Sequence, residues 1–532
     1  MRRRQFMRTA ALGTAAVLSY PAAAGARRQG MEREVENLSV TELCLRLQRG
    51  ETTATALTAA YLDRIERLDR QGPCLRAVIE VNPEAVELAA VLDRQQRAGQ
   101  IRGPLHGIPV LIKDNIDTGD SMQTTAGSLA LSGSRAPRDA PLVARLRQAG
   151  AVVLGKTNMS EWANFRSFRS SSGWSSRGGQ TRNPYVLDRS PCGSSSGAGV
   201  AVAADLCAAA VGTETDGSIV CPSTHNGIVG LKPTLGLISR TGIIPIAASQ
   251  DTAGPMGRTV ADVALLLGVL AGADDDDAAT LAVPAGRPTD YVRCLDAGAL
   301  NGARLGVARQ YGGFHERAEA LLDEALAAMR AAGAQIVDPA EVATRQQLDG
   351  PELEVLLYEF KAGVDQYLAG LGPGAPVQSL AEVISFNEAH RDQVMPYFGQ
   401  ELLLQAQAKG PLTEPAYLKA RSDCLRLARA EGIDATLTAH SLDAIVALSG
   451  GPAWPIDLVL GDHGMGGSST PAAVAGYPNI TVPAGDVFGL PVGISFFAGA
   501  FAEPRLLALA YAFEQLTRKR RPPQFAPTLT LG

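Results

Sequence analysis

The chain has 532 residues, 46% of them hydrophobic and 19% charged, with a formal net charge of −5 and a pI near 5.8. That is long enough and apolar enough to bury a large core. It carries no basic footprint of the kind nucleic acid requires, so nucleic acid is not an expected partner.

Taken in chain order, the first residues read as an export signal. They combine a basic start, an apolar run from Thr9 to Tyr20 and the small-residue site Ala24-Gly25-Ala26. Arg3-Arg4-Gln5-Phe6-Met7 fits the twin-arginine form of such a signal. About a dozen apolar residues are too few to span ~30 Å of hydrocarbon. Residues 1–26 are therefore expected to be cleaved near Ala26, leaving a protein exported to the periplasm. No later segment reaches the ~18 uninterrupted apolar residues of a membrane span, so the mature chain is expected to be soluble.

"VTELCLRLQRGETTATALTAAYLDRIERLD" shows helical periodicity broken at Gly50, which predicts two helices. "CLRAVIEVNPEA" predicts a strand, a turn and a helix start. "GIPVLIKDNID" predicts a buried strand that delivers Lys113 at its carboxyl end. "DAPLVARLRQAGAVVLGKTNMSE" predicts a helix stopped at Gly150, then a strand. "LCAAAVGTE" reads as another strand, and "ADDDDAAT" as a solvated loop without EF-hand spacing. Residues 300–445 are more charged and helix-rich, with "ARLGVARQ" and "LDAIVALSG" as strands. The end returns to apolar strands and a closing helix. The alternation predicts an α/β architecture with a large, mostly parallel sheet covered by helices. No repeat or long linker divides residues 27–532, which are expected to form a single domain.

Seven cysteines lie scattered at 44, 74, 192, 207, 221, 294 and 424. With no CxxC or metal-type spacing, they predict neither a zinc site nor a dense disulfide framework. They are expected as small core residues.

"SPCGSSSGAGVAVAADLCAAAVGTETDGSIVCP", residues 190–222, is too rich in Gly, Ser and Ala for ordinary core. Gly193-Ser194-Ser195-Ser196-Gly197 matches the G-x-S-x-G elbow with Ser195 as nucleophile, and His390, His440 or His463 as conceivable bases. The elbow needs an apolar strand before it, and "NPYVLDRSPC" reads as a loop. Thr215-Asp216-Gly217-Ser218 instead follows a plausible strand, and a tight turn there would aim successive N–H groups at an oxyanion. His225 could be imagined as its base, but Pro222 and Asn226-Gly227 favour a buried or turn histidine. Lys113 is the remaining strong base, because burial lowers a lysine pKa. Its bland alternative is an ion pair with Asp114 or Asp117, which strand alternation disfavours for Asp114.

"GPLHGIPVLIKDNID", "GKTNMSEW", "GQTRNP", "SPCGSSSGAG" and "GTETDGSIVCPSTHNGIVGLKPT" fall in order over more than a hundred residues. Together they resemble the amidase signature family, and the similarity continues through "AAVAGYPNITVP" and "GLPVGISF". The resemblance implies Ser218 as acylated nucleophile, Ser194 as relay serine after a cis Gly193–Ser194 bond, and Lys113 as base. It implies an oxyanion hole from the backbone of Thr215, Asp216, Gly217 and Ser218, with no metal or organic cofactor. Many members carry Gly-Gly where this chain has Cys192-Gly193 and Asp216-Gly217, and often Gly at Ser196. Those departures, with "YEFKAG" and "AWPI", are similar to the peptide amidase branch, which removes C-terminal amides from peptides. Small aliphatic or aryl amides are the alternative substrates. A tRNA-dependent glutaminase subunit fits an export signal poorly, and a binding protein on an inactive scaffold fits three retained triad residues poorly.

Overall fold

Ser39 accepts from the Glu42 N–H while Glu42 reaches back to the Ser39 N–H, a capping box that starts the helix Val40–Gln48. The next helix, Ala54–Arg64, begins on Thr53, and the break between them falls at Gly50 as the sequence predicts. These elements belong to a computed structural model, which describes residues 35–530. The expected export signal at residues 1–26 lies outside the described residues.

The strands are β1 Val78–Val81, β2 Pro109–Lys113, β3 Val152–Thr157, β4 Trp174–Ser175, β5 Gly179–Gln180, β6 Ala209–Glu214 and β7 Val229–Lys232. They continue as β8 Thr252–Gly257, β9 Arg304–Val307, β10 Gln335–Val337, β11 Ala444–Leu448, β12 Asn479–Val487 and β13 Leu490–Phe497. Eleven of them form one sheet in the order β1-β3-β2-β6-β8-β7-β12-β13-β11-β9-β10, and β4-β5 form a small ribbon. The large mixed sheet of the expected α/β class is therefore present. Parallel pairing is confined to two blocks, β3-β2-β6 and β11-β9-β10. Antiparallel pairs join the remaining neighbours. Antiparallel pairing thus has a larger share than the strand–helix alternation alone suggested. Two devices account for half of those pairs: β12 and β13 are joined by a tight hairpin, and β8 inserts between β6 and β7.

Every position of β2, β3, β6, β7, β8, β11 and β13 is buried. A strand buried on both alternating faces needs cover on both. That cover includes the Ala- and Gly-rich helix Ser196–Ala203, itself buried at all eight positions. The closing helix Glu503–Thr517 ends just before the cationic residues 518–521, where the carbonyl end of a helix dipole favours positive charge. No described helix is long and apolar enough to cross a membrane. Three of the four aspartates at 274–277 serve pairing: Asp276 meets Arg138, Asp277 meets Arg240, and Asp274 accepts from Ser239 and Thr241.

Candidate active site

Lys113 ends β2, whose five positions are all buried, and is itself 0% exposed. Its Nζ lies 2.7 Å from Ser194 Oγ, 2.9 Å from Thr213 Oγ1 and 3.1 Å from the Thr213 carbonyl. All three partners are neutral, and no ion pair to Lys113 occurs among the described residues. Burial pulls its pKa down from 10.5 to about 7, against the opposing pull of Asp251 and Glu214. Asp114 faces elsewhere: it accepts from Thr125 and the Gly127 N–H, and pairs with Arg177. Asp117 accepts from Tyr367 Oη at 2.7 Å. Neither alternative ion pair forms.

The three consecutive serines separate by what their hydroxyls touch. Ser194 follows a cis peptide bond with Gly193 and meets Lys113. Ser195 Oγ donates to the Thr213 carbonyl at 3.0 Å and accepts the Thr213 N–H at 3.2 Å, so it is consumed by β6. Ser196 Oγ donates to the Cys192 carbonyl at 2.6 Å. The elbow reading with Ser195 as nucleophile also fails on its premise, since no strand precedes residue 193 closer than the β4-β5 ribbon.

β6 runs out at Glu214, and the chain turns before the short helix Val220–His225. Glu214 Oε2 accepts the Ile219 and Val220 N–H groups at 2.7 and 3.0 Å, and Gly217 O accepts the Cys221 N–H at 2.7 Å. These bonds satisfy the donors after Ser218. The N–H groups of Asp216, Gly217 and Ser218 have no protein acceptor among the described residues, which leaves three adjacent donors for an anionic oxygen. Gly217 has φ +76, a left-handed conformation that glycine adopts without penalty. Thr215, Asp216 and Gly217, which the resemblance implies for an oxyanion hole, all lie in the bend that follows β6. Ser218 is 7% exposed, its hydroxyl makes no protein hydrogen bond among the described residues, and its carbonyl accepts the Ser195 N–H at 3.1 Å. That last bond holds the Ser194 segment beside the Ser218 turn.

His225 is buried at the end of its helix. A carbonyl can only accept, so Nδ1–H donates to the Cys221 carbonyl at 2.9 Å, and Nε2 has no protein partner. Burial lowers its pKa to about 4, and its ring meets the edge of Trp454 at 5.1 Å. His390 stacks on Phe386, His463 pairs with Asp457, and His440 closes the helix Asp434–His440. His225→Gln is expected to retain turnover within about tenfold of wild type, because loss of a general base costs ~10²–10⁴. A loss of several hundredfold in ammonia release would instead mark histidine as the base.

The amidase family model matches residues 56–507. The chain belongs to the amidase family. A probable amidase of Arabidopsis thaliana is 40% identical over 500 residues, covering 92% of each chain. A putative amidase of Schizosaccharomyces pombe is 35% identical over 519 residues, covering 92% of this chain and 87% of that one. The solved native peptide amidase from Stenotrophomonas maltophilia is 55% identical with a TM-score of 0.87, covering 92% of this chain and 99% of that one.

In this amidase the cysteines depart from the sequence expectation. Cys192 and Cys221 form a disulfide with Cα atoms 5.9 Å apart, joining the residue two before Ser194 to the residue three after Ser218. Both half-cystines flank the serine motifs, but scattered spacing could not show that the two motifs meet in space. Cys207 and Cys424 are buried as expected, and Cys44, Cys74 and Cys294 are partly so. The Asp216 side chain is held from outside the row of donors. Its Oδ2 accepts from Thr470 Oγ1 at 2.7 Å, and burial pushes its pKa up.

Proposed function

We propose that this amidase removes the C-terminal amide of peptides, releasing a free carboxylate and ammonia. The observation that carries the mechanism is the buried Lys113, bonded to Ser194 and to neutral oxygens alone. A neutral lysine has two N–H donors and one lone pair. The Thr213 carbonyl takes one donor, and the lone pair is free to receive the Ser194 O–H.

Ser218 Oγ attacks the amide carbon as its proton moves to Ser194 and that of Ser194 moves to Lys113. The carbonyl oxygen becomes an oxyanion held by the N–H groups of the 215–218 turn. Collapse breaks the C–N bond, and the lysine proton returns through Ser194 to the leaving ammonia. Water then adds to the acyl-enzyme by the same relay and frees Ser218. The residues require no cofactor for these steps.

The peptide substrate is supported by the 55% identity to a peptide amidase over nearly its whole length. Ammonia release from amidated dipeptides, free amino-acid amides and small aliphatic or aryl amides tests it. Amidated dipeptides are expected to have at least tenfold higher kcat/KM than acetamide or benzamide. Equal or better turnover of the small amides would assign the chain to general amide hydrolysis instead.

A further inference from the structure

Beyond the triad, one carboxylate is tied to the turn after β6, two residues past the threonine that holds Lys113. β6 and β8 pair antiparallel with Glu214 opposite Thr252, so the residues just past the ladder, Thr215 and Asp251, face each other. Asp251 Oδ1 accepts from Thr215 Oγ1 at 2.5 Å, and Oδ2 accepts the Ile246 and Ala247 N–H groups, each at 2.9 Å. Two residues upstream on the same strand, Thr213 holds Lys113 by both its carbonyl and its hydroxyl.

Between these groups lies a cavity of about 10 Å³, bordered by the polar residues Asn115, Thr213, Thr215, Arg240, Asp251 and Thr252 and by an alanine and three isoleucines. Asn115 Oδ1 and Thr252 Oγ1 are buried there without a protein partner. That is the polarity, and about the volume, of a single water site. Asp251 also borders a larger outer cavity of about 560 Å³, so the carboxylate lies between solvent and the interior around Thr213.

We propose that Asp251 is a positioning residue for the amidase reaction: it anchors the first residue of the oxyanion turn through Thr215 and supplies the negative field in which Lys113 works. The proposal rests on the assignment of Lys113 as base. The charged groups that act on Lys113 are Asp251 and Glu214, and Glu214 is tied to the Ile219 and Val220 N–H groups and faces Lys232. Asp251 is faced by Arg240, which is itself paired to Asp277. From the neighbouring helix Asp349–Gly370, Glu352 accepts from Gln250 and Glu359 accepts from Tyr417 and the Ser249 N–H. Burial raises Asp251 to about 6, so at pH 7 and above it is predominantly ionised and favours protonated Lys113.

Two substitutions separate the two roles. Asn at 251 can keep all three hydrogen bonds, its carbonyl accepting the two N–H groups and its amide donating to Thr215 Oγ1. Asp251→Asn therefore removes charge without removing the anchor. The rising limb of kcat/KM against pH is expected to move to lower pH by about half a unit to one unit, because an opposing charge no longer stabilises the lysinium. Thr215→Val loses the anchor and also removes the hydroxyl that holds the Asp251 pKa down. It is therefore compared on the plateau well above neutral pH, where Asp251 is ionised in both enzymes. There kcat is expected to fall about tenfold or more, the scale of a weakened oxyanion site, whereas Asp251→Asn keeps its plateau. The wild-type profile is measured first. If it has no limb near neutral pH, the base assignment itself fails. If the limb is present but does not move in Asp251→Asn, or if Thr215→Val keeps full kcat, the role proposed for Asp251 is overturned.

Discussion

Ser218→Ala is expected to lower amide hydrolysis by ~10⁴–10⁶, the scale on which a triad nucleophile carries its reaction. The physical reason is that, in the proposed mechanism, the other parts of the site bind and polarise the amide but only Ser218 forms the acyl-enzyme. Ser195 and Ser196 lie nearby in sequence, yet their hydroxyls are spent on backbone carbonyls. The Ser218 hydroxyl, by contrast, makes no protein hydrogen bond among the described residues, and its loss leaves no buried partner unsatisfied. The thermal midpoint should therefore move little, within the ~0.5 kcal/mol typical of substitutions outside packed or bonded sites. Ammonia release and thermal unfolding on the same preparation check both halves. Turnover above about a tenth of wild type in a clean Ser218→Ala preparation would refute the nucleophile assignment. Ser195→Ala should leave a measurable enzyme, since it loses only the two bonds to Thr213.

Lys113 is the second position where a large effect is expected. For a buried amine whose pKa is lowered to about 7, the reactive neutral form grows as pH rises through that value, so the rate should climb through pH 7 and level off above it. Lys113→Ala should abolish turnover and the limb together. Lys113→Arg should fail as well, because a guanidinium stays protonated and cannot take the Ser194 proton. Near-normal turnover in the arginine enzyme would sink the base assignment.

The same depressed pKa has a stability consequence with a definite sign. Between about pH 7 and pH 10.5 the unfolded lysine binds a proton that the folded one has lost, so folding is penalised and stability rises with pH across that window. Lowering the pKa from 10.5 to about 7 amounts to a penalty on the order of 4 kcal/mol at neutral pH. Lys113→Met, which fills similar volume without a charge, should then be inactive yet unfold at a higher temperature at pH 7. The gap to wild type should shrink as pH approaches 10.5. A methionine enzyme whose difference in thermal midpoint from wild type stays the same at every pH would contradict this account of the site.

How much of this was legible in the chain depends on the range of the interaction. β2 could be read from "GIPVLIKD", because a short apolar run ending in polar residues needs only its own neighbours to declare a buried strand, and that already placed Lys113 at the strand's end. The helix break at Gly50, the strand Ala209–Glu214 and the turn at Gly217 are local in the same sense. The resemblance of the motifs implied Lys113, Ser194 and Ser218 as a triad, although residue types alone left Ser195 and His225 open. What weighs against those alternatives is contact between distant segments. Lys113 meets Ser194 across 81 positions and Thr213 across 100, and Ser195 turns into the β6 backbone while its neighbour turns toward the lysine. Cys192 and Cys221 pair only because the Ser194 turn and the Ser218 turn are brought together at the end of β6. Asp251 faces Thr215 only because β8 returns antiparallel beside β6. A sequence pattern records which face of a strand is apolar. It carries no term for which strand lies alongside, or in which direction, since that follows from how the whole core packs.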